Sequence, residues 1–173
     1  MGYIRFEKIN NDNVYDIINL KLRKEQEKFV AKNIYSIVHA YLELAENNPV
    51  FPFGIYNDKQ LVGFIMVGYD IFRDRQLNPK CEWFMKNSYI IWRLMIDEKY
   101  QGEGYGKEAV SEALKFINTF PCGAAEYCWV SYEVDNITAK KLFETFGFKE
   151  ITDAFIEGGE MPALIKLNGD YNE

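Results

Sequence analysis

The hexapeptide Gln101-Gly102-Glu103-Gly104-Tyr105-Gly106 places three glycines within five positions. Glycine reaches backbone angles closed to other residues and lets a ligand come close to the main chain. The hexapeptide follows an apolar run, residues 89–96, and opens a segment in which Gly106, Ala109, Val110, Ala113, Leu114 and Ile117 recur at helical spacing. A helix start offers free N–H groups and the positive end of its dipole. Glycines at that start make a cradle for a pyrophosphate. Two common cradles do not fit. A dinucleotide fingerprint needs Gly-x-Gly-x-x-Gly directly off its strand, whereas Asp97-Glu98-Lys99-Tyr100 intervenes here and the glycines alternate. A Walker loop needs a hydroxyl after its Gly-Lys, and Glu108 stands there.

Other chemistries have little to work with. The three cysteines, Cys81, Cys122 and Cys128, form no Cys-x-x-Cys, and an odd number is a poor disulfide framework. That usage fits a reducing cytoplasm. His39 is the sole histidine, so no metal site is expected. The formal charge of -6 argues against nucleic acid as a partner and is compatible with a cationic one. The N-terminus has no apolar signal core and no run approaches a membrane span, so no membrane partner is expected.

The elements that must position the cradle follow from periodicity. Residues 3–9 alternate as a strand. Asp12 is the expected cap of a helix with Val14, Ile17, Ile18 and Leu22 on its inner face. Residues 23–28 are charged and read as a solvated helix end or loop. Ile34, Ile37, Val38, Tyr41, Leu42 and Ala45 mark a second helix, with His39 off that face. Residues 53–56 and 61–69 read as strands joined at Asn57-Asp58-Lys59-Gln60. Residues 71–88 read as an irregular excursion. Strands are expected at 89–96, 127–132, 148–156 and 161–167, and helices after Gly104 and at 136–146. The order β-α-α-β-β-β-α-β-α-β-β predicts an α/β domain spanning 1–173, a mixed sheet with helices on its faces.

Gln101-x-x-Gly104-x-Gly106 after a strand resembles the acetyl-CoA motif of the GCN5-related N-acetyltransferases (GNAT). Asn136-x-x-Ala139-x-x-Leu142-Phe143-x-x-x-Gly147-Phe148 resembles that family's second segment. Glu25-Gln26-x-x-Phe29-Val30-Ala31, Ile55-Tyr56-Asn57-Asp58 and Arg93-Leu94-Met95-Ile96-Asp97 are similar to bacterial spermine/spermidine acetyltransferases of the family. The resemblance implies a central, mostly antiparallel sheet splayed between strands 89–96 and 127–132. It also implies acetyl-CoA as cofactor, a primary amine as acceptor, and a possible homodimer.

The same resemblance assigns roles. Leu94, Met95 and Ile96 would meet the pantetheine arm, with the Ile96 N–H as oxyanion donor. Gln101, Gly102, Glu103, Gly104, Tyr105, Gly106 and Lys107 would hold the pyrophosphate. Asn136, Ala139, Lys140 and Phe143 would lie along the cofactor, although Asn136 is equally a helix cap. Phe143 stands where the family usually has a tyrosine that protonates the departing thiolate, and phenylalanine has no proton to give. Tyr132 is a candidate replacement acid, and a non-catalytic acyl-CoA sensor is the alternative reading. An alkylamine resembles lysine, so holding it neutral at pH 7 costs about 4.6 kcal/mol. A base is therefore needed, and Glu133 is the candidate.

A polyamine (spermidine or spermine) is the leading acceptor. Other amines, such as an aminoglycoside, an amino acid or a peptide N-terminus, are open. Glu25, Glu27, Asp70, Glu82 and Trp83 are the candidate acceptor residues, with Glu43, Asp74 and the aromatics Phe29, Tyr35, Phe84 and Trp92 in the same segments.

Overall fold

The computed structural model describes residues 4–72, 78–156 and 158–167. Seven strands form one sheet: Ile4–Lys8 (β1), Val50–Asn57 (β2), Gln60–Tyr69 (β3), Tyr89–Ile96 (β4), Tyr127–Tyr132 (β5), Lys149–Glu150 (β6) and Met161–Lys166 (β7). Their spatial order is β1-β2-β3-β4-β5-β7-β6. Every neighbouring pair is antiparallel except β4 and β5. Those two run parallel and pair only at Tyr89 with Cys128 and Ile90 with Trp129. Beyond Ile90 the sheet splits, as the resemblance implies.

Apolar side chains leave both faces of the central strands, as expected of a sheet covered on both sides. On one face Ile65, Tyr89, Ile91, Cys128 and Val130 pack with Ala109, Val110, Ala113 and Ile117 of α4 (Tyr105–Ile117) and with Phe143 of α5 (Ile137–Glu144). On the other, Phe64, Met66, Ile90 and Trp129 pack with Ile17 of α1 (Val14–Ile18), Ala40 of α2 (Asn33–Ala45) and Phe84 of α3 (Pro79–Met85). Among the described residues no helix is long and apolar enough to cross a membrane.

Four expectations change. The stretch 71–88 contains α3, with Pro79 in its first turn and the Asn78 side chain accepting from the Lys80 N–H. Asp12 is not the cap of α1. Asn13 precedes that helix, with its side chain occupied by the Asn10 N–H and the Lys8 carbonyl. The strand expected over 148–156 shrinks to β6, because the chain then folds into a loop closed by Ile156 N–H donating to the Glu160 carbonyl.

The fourth change is the orientation of α2. It buries Asn33, Ser36, Ala40 and Glu43 and exposes Ile34, Tyr35, Val38, Tyr41, Leu42 and Leu44. Two of the inner polar side chains are paired locally: Asn33 Nδ2 donates to the Ile17 carbonyl, and Asn48 Nδ2 to Glu43 Oε2, while the Ser36 hydroxyl is buried without a hydrogen bond. Helical spacing located the apolar stripe but not what it faces.

Candidate active site in the cleft between two strands

The gap between β4 and β5 exposes main chain. Asp97 N–H donates to the Val62 carbonyl at 2.9 Å, and Gly63 lies opposite Ile96. Hydrogen-bonded pairs alternate along an antiparallel ladder. Met95 and Arg93 therefore bond to β3, while the N–H and carbonyl groups of Leu94 and Ile96 turn toward the gap. A sheet edge of this kind accepts an amide-bearing arm as a missing strand.

The glycine turn is fixed from below. Buried Asp97 accepts from the Lys21 N–H at 2.9 Å and the Lys99 N–H at 3.1 Å. Gly102 (φ +88°) and Gly104 (φ +93°) then take the left-handed region, where a side chain is strained. Gly104 directly precedes α4, so the free N–H groups of that helix lie at the turn. A Cβ on Gly102 would meet nothing within 4 Å. The demand there is conformational, and the space beside the glycine is open.

A cavity of about 470 Å³ runs from this turn into the gap. Its lining includes Leu94, Met95, Ile96, Gln101, Gly102, Gly104, Tyr105, Gly106, Lys107, Asn136, Ala139 and Phe143. Glu103 and Lys140 are not in it. Glu103 is exposed, and Lys140 is paired with Glu150 at 2.7 Å. Asn136 serves as the cap of α5, its Oδ1 accepting from the Ala139 N–H at 3.1 Å.

Leu22, Arg23, Gln26, Phe29 and Val30 complete the cavity, and of these Arg23 and Gln26 fall in the charged run expected to be solvated. They belong to a strap tied to both walls. Gln101 Nε2 donates to Gln26 Oε1 at 2.7 Å and to the Ile96 carbonyl at 2.9 Å. On the other wall Lys28 pairs with Asp135 at 2.5 Å. Arg23 and Lys107 bring positive charge to a site already facing a helix N-terminus. Periodicity could not reveal this strap, because its contacts are made across the fold.

The proposed acid and base stand differently. The Tyr132 ring lies parallel to Phe143 at 6.3 Å, and its hydroxyl donates to Glu150 Oε1 at 3.2 Å. Burial, first, and the Glu150 carboxylate push its pKa far up. Phe143, not Tyr132, lines the cavity. Glu133 follows β5 half-buried, its carbonyl accepting from the Asn136 N–H, and it too is outside the lining.

The acceptor candidates divide. Glu25 and Glu27 are exposed on the strap. Asp70, Glu82 and Trp83 lie where β4 and β5 are still paired, away from the opening. Asp70 accepts from the Asn87 N–H, Glu82 pairs with Lys86, and Trp83 packs on Tyr127. Glu43 is buried against Asn48, and Asp74 lies outside the described residues.

The model of the acetyltransferase (GNAT) family matches residues 11–148. The chain belongs to that family. It is an acetyl-CoA-dependent N-acetyltransferase. It is 28% identical over 149 residues to a spermine/spermidine N(1)-acetyltransferase of Bacillus subtilis, covering 84% of this chain and 88% of that one. The fold matches a spermidine N-acetyltransferase from Vibrio cholerae solved with CoA and spermine, with a TM-score of 0.65 at 17% identity over 95% of this chain and 96% of that one. A dodecameric structure of spermidine N-acetyltransferase from the same organism matches with a TM-score of 0.62 at 17% identity over 98% and 97%. The residues present suit acetyl-CoA: a glycine turn on a helix start for the pyrophosphate, and turned-out main chain for the arm.

Proposed function

We propose that this acetyltransferase modifies a primary amine of a polyamine, spermidine or spermine. The observation that carries the acceptor is the similarity to the Bacillus subtilis polyamine enzyme, which spans both walls of the cleft. The negative net charge and the glutamates of the strap agree with a cationic acceptor.

Acetyl-CoA supplies the acetyl group as an activated thioester. The chain's own residues do the rest. Gly102, Gly104, Gly106 and Lys107 hold the pyrophosphate, Leu94 and Ile96 seat the arm, and the Ile96 N–H supports the carbonyl oxygen as charge develops. The strap closes over the arm and excludes water. Phe143 lines the cavity and has no proton to donate, so a departing thiolate would take its proton from solvent. A thiol with a pKa of about 8.5 leaves readily enough for that.

The chain acts as one domain, in the cytoplasm, and self-associates. Self-association is supported by the exposed apolar stripe of α2 and by the dodecameric relative.

Incubation with acetyl-CoA and spermidine should give a mono-acetylated polyamine by mass spectrometry. Acetylation of an aminoglycoside or peptide control, with none of spermidine or spermine, would replace this acceptor.

A further inference from the structure

Beyond the cavity, at the throat of the gap, stands a half-buried polar group formed by three segments. Arg93 is on β4, next to cavity-lining Leu94 and two residues from Met95, whose face of the sheet it shares. Ser131 is on β5, two residues past Trp129, on that same face. Glu160 precedes β7 and is fixed by the turn in which its carbonyl accepts the Ile156 N–H at 3.0 Å. The Ser131 hydroxyl donates to Glu160 Oε2. Arg93 bonds the Trp92 carbonyl at 2.7 Å, lies 5.3 Å from the Trp92 ring, and leaves its Nε buried without a partner. Burial lowers the Arg93 pKa, and the charge of Glu160 acts in the opposite direction.

The location matters more than the cluster itself. Cofactor loop, α4 and α5 approach the gap from one face of the sheet. An amine must reach the thioester carbon from elsewhere, and Arg93, Ser131 and Glu160 line the opposite face where the strands have just parted. His39 of α2 lies against Trp92 at 6.1 Å.

We propose that Glu160 is the catalytic carboxylate that takes the proton from the attacking amine, with Ser131 and Arg93 as its positioning residues. This rests on the acetyl-transfer reading of the cleft but not on the acceptor being a polyamine. The amine nitrogen forms a bond to the acetyl carbon, the carbon–sulfur bond breaks, and CoA leaves as a thiolate. The amine arrives as an ammonium, and a Glu160 oxygen takes its first proton, which frees the lone pair for this attack. The second proton leaves the nitrogen through water as the carbon–nitrogen bond forms and reaches the thiolate, while Glu160 returns the first to solvent.

The test is single-turnover acetyl transfer by Glu160→Gln across pH 6.5–10 (roughly the span between a histidine and a lysine pKa). Spermidine and, independently, propylamine at high concentration serve as acceptors. At neutral pH the rate should fall about 100-fold or more, with acetyl-CoA affinity and melting temperature unchanged. The defect should shrink as rising pH supplies free amine. Glu160→Gln combined with Ser131→Ala should be no slower than Glu160→Gln alone. A Glu160→Gln rate within threefold of the parent, or a defect independent of pH, would overturn the proposal. If Glu160→Gln does not fold, Ser131→Ala must show the same pH-dependent defect in smaller measure, about tenfold; its absence overturns the proposal equally. Failure of the parent with spermidine but not propylamine would instead count against the polyamine reading alone.

Discussion

Phe143 lines the cavity, and the hydroxyl of the Tyr132 stacked against it is committed to Glu150. Neither residue therefore offers a phenol to a departing thiolate. Phe143→Tyr should raise kcat by up to about tenfold if that protonation limits turnover, and leave acetyl-CoA affinity unchanged; stopped-flow and titration calorimetry separate the two effects. The glycine turn makes a sharper demand. Gly104 sits at φ +93° before α4, where a β-branched side chain is strained and would crowd the pyrophosphate. Gly104→Val should raise the acetyl-CoA Kd at least about 100-fold while circular dichroism still reports a folded chain. Such residues were legible in the sequence because backbone geometry and phosphate chemistry leave few choices. Glu160, Ser131 and Arg93 were not, since widely separated positions reveal a shared purpose only when the sheet assembles them.

At the scale of elements, the splay depends on how firmly β4 is held by β3. Gly63 lies opposite Ile96, and a Cβ there would stand 2.4 Å from the Met95 carbonyl oxygen. Gly63→Ala must push the two strands apart, because that obstacle is backbone and cannot swing away. We expect a loss of about 1–3 kcal/mol in stability, measurable by urea unfolding, together with weaker acetyl-CoA binding as Ile96 moves. Strand and helix positions around the cleft were readable from periodicity and the glycines. The strap over residues 22–30 was not, because it is held by side chains reaching both walls, Gln26 to Gln101 and Lys28 to Asp135, rather than by a repeating pattern.

Over the whole molecule, α2 turns its apolar stripe outward, with Tyr41 72% and Leu42 52% exposed. A contiguous apolar surface of this kind marks a contact between molecules more often than a solvated face. Leu42→Lys should shift the chain toward monomer in sedimentation velocity and change the melting temperature of the monomer little, since Leu42 is half exposed and a lysine stem can lie where it does with its charge in water. A monomeric parent would remove the reason for the stripe. Periodicity located the helix and its apolar stripe but not the side the stripe faces, because the partners of buried Asn33 and Glu43 are visible only in three dimensions.

The central claim joins cleft and acceptor, and steady-state CoA release from acetyl-CoA with spermidine, spermine and a control peptide tests it most directly. We expect kcat/KM for the polyamines to exceed that for the peptide by at least about 100-fold, a difference of about 2.7 kcal/mol in transition-state binding. Equal or greater release with the peptide would contradict it.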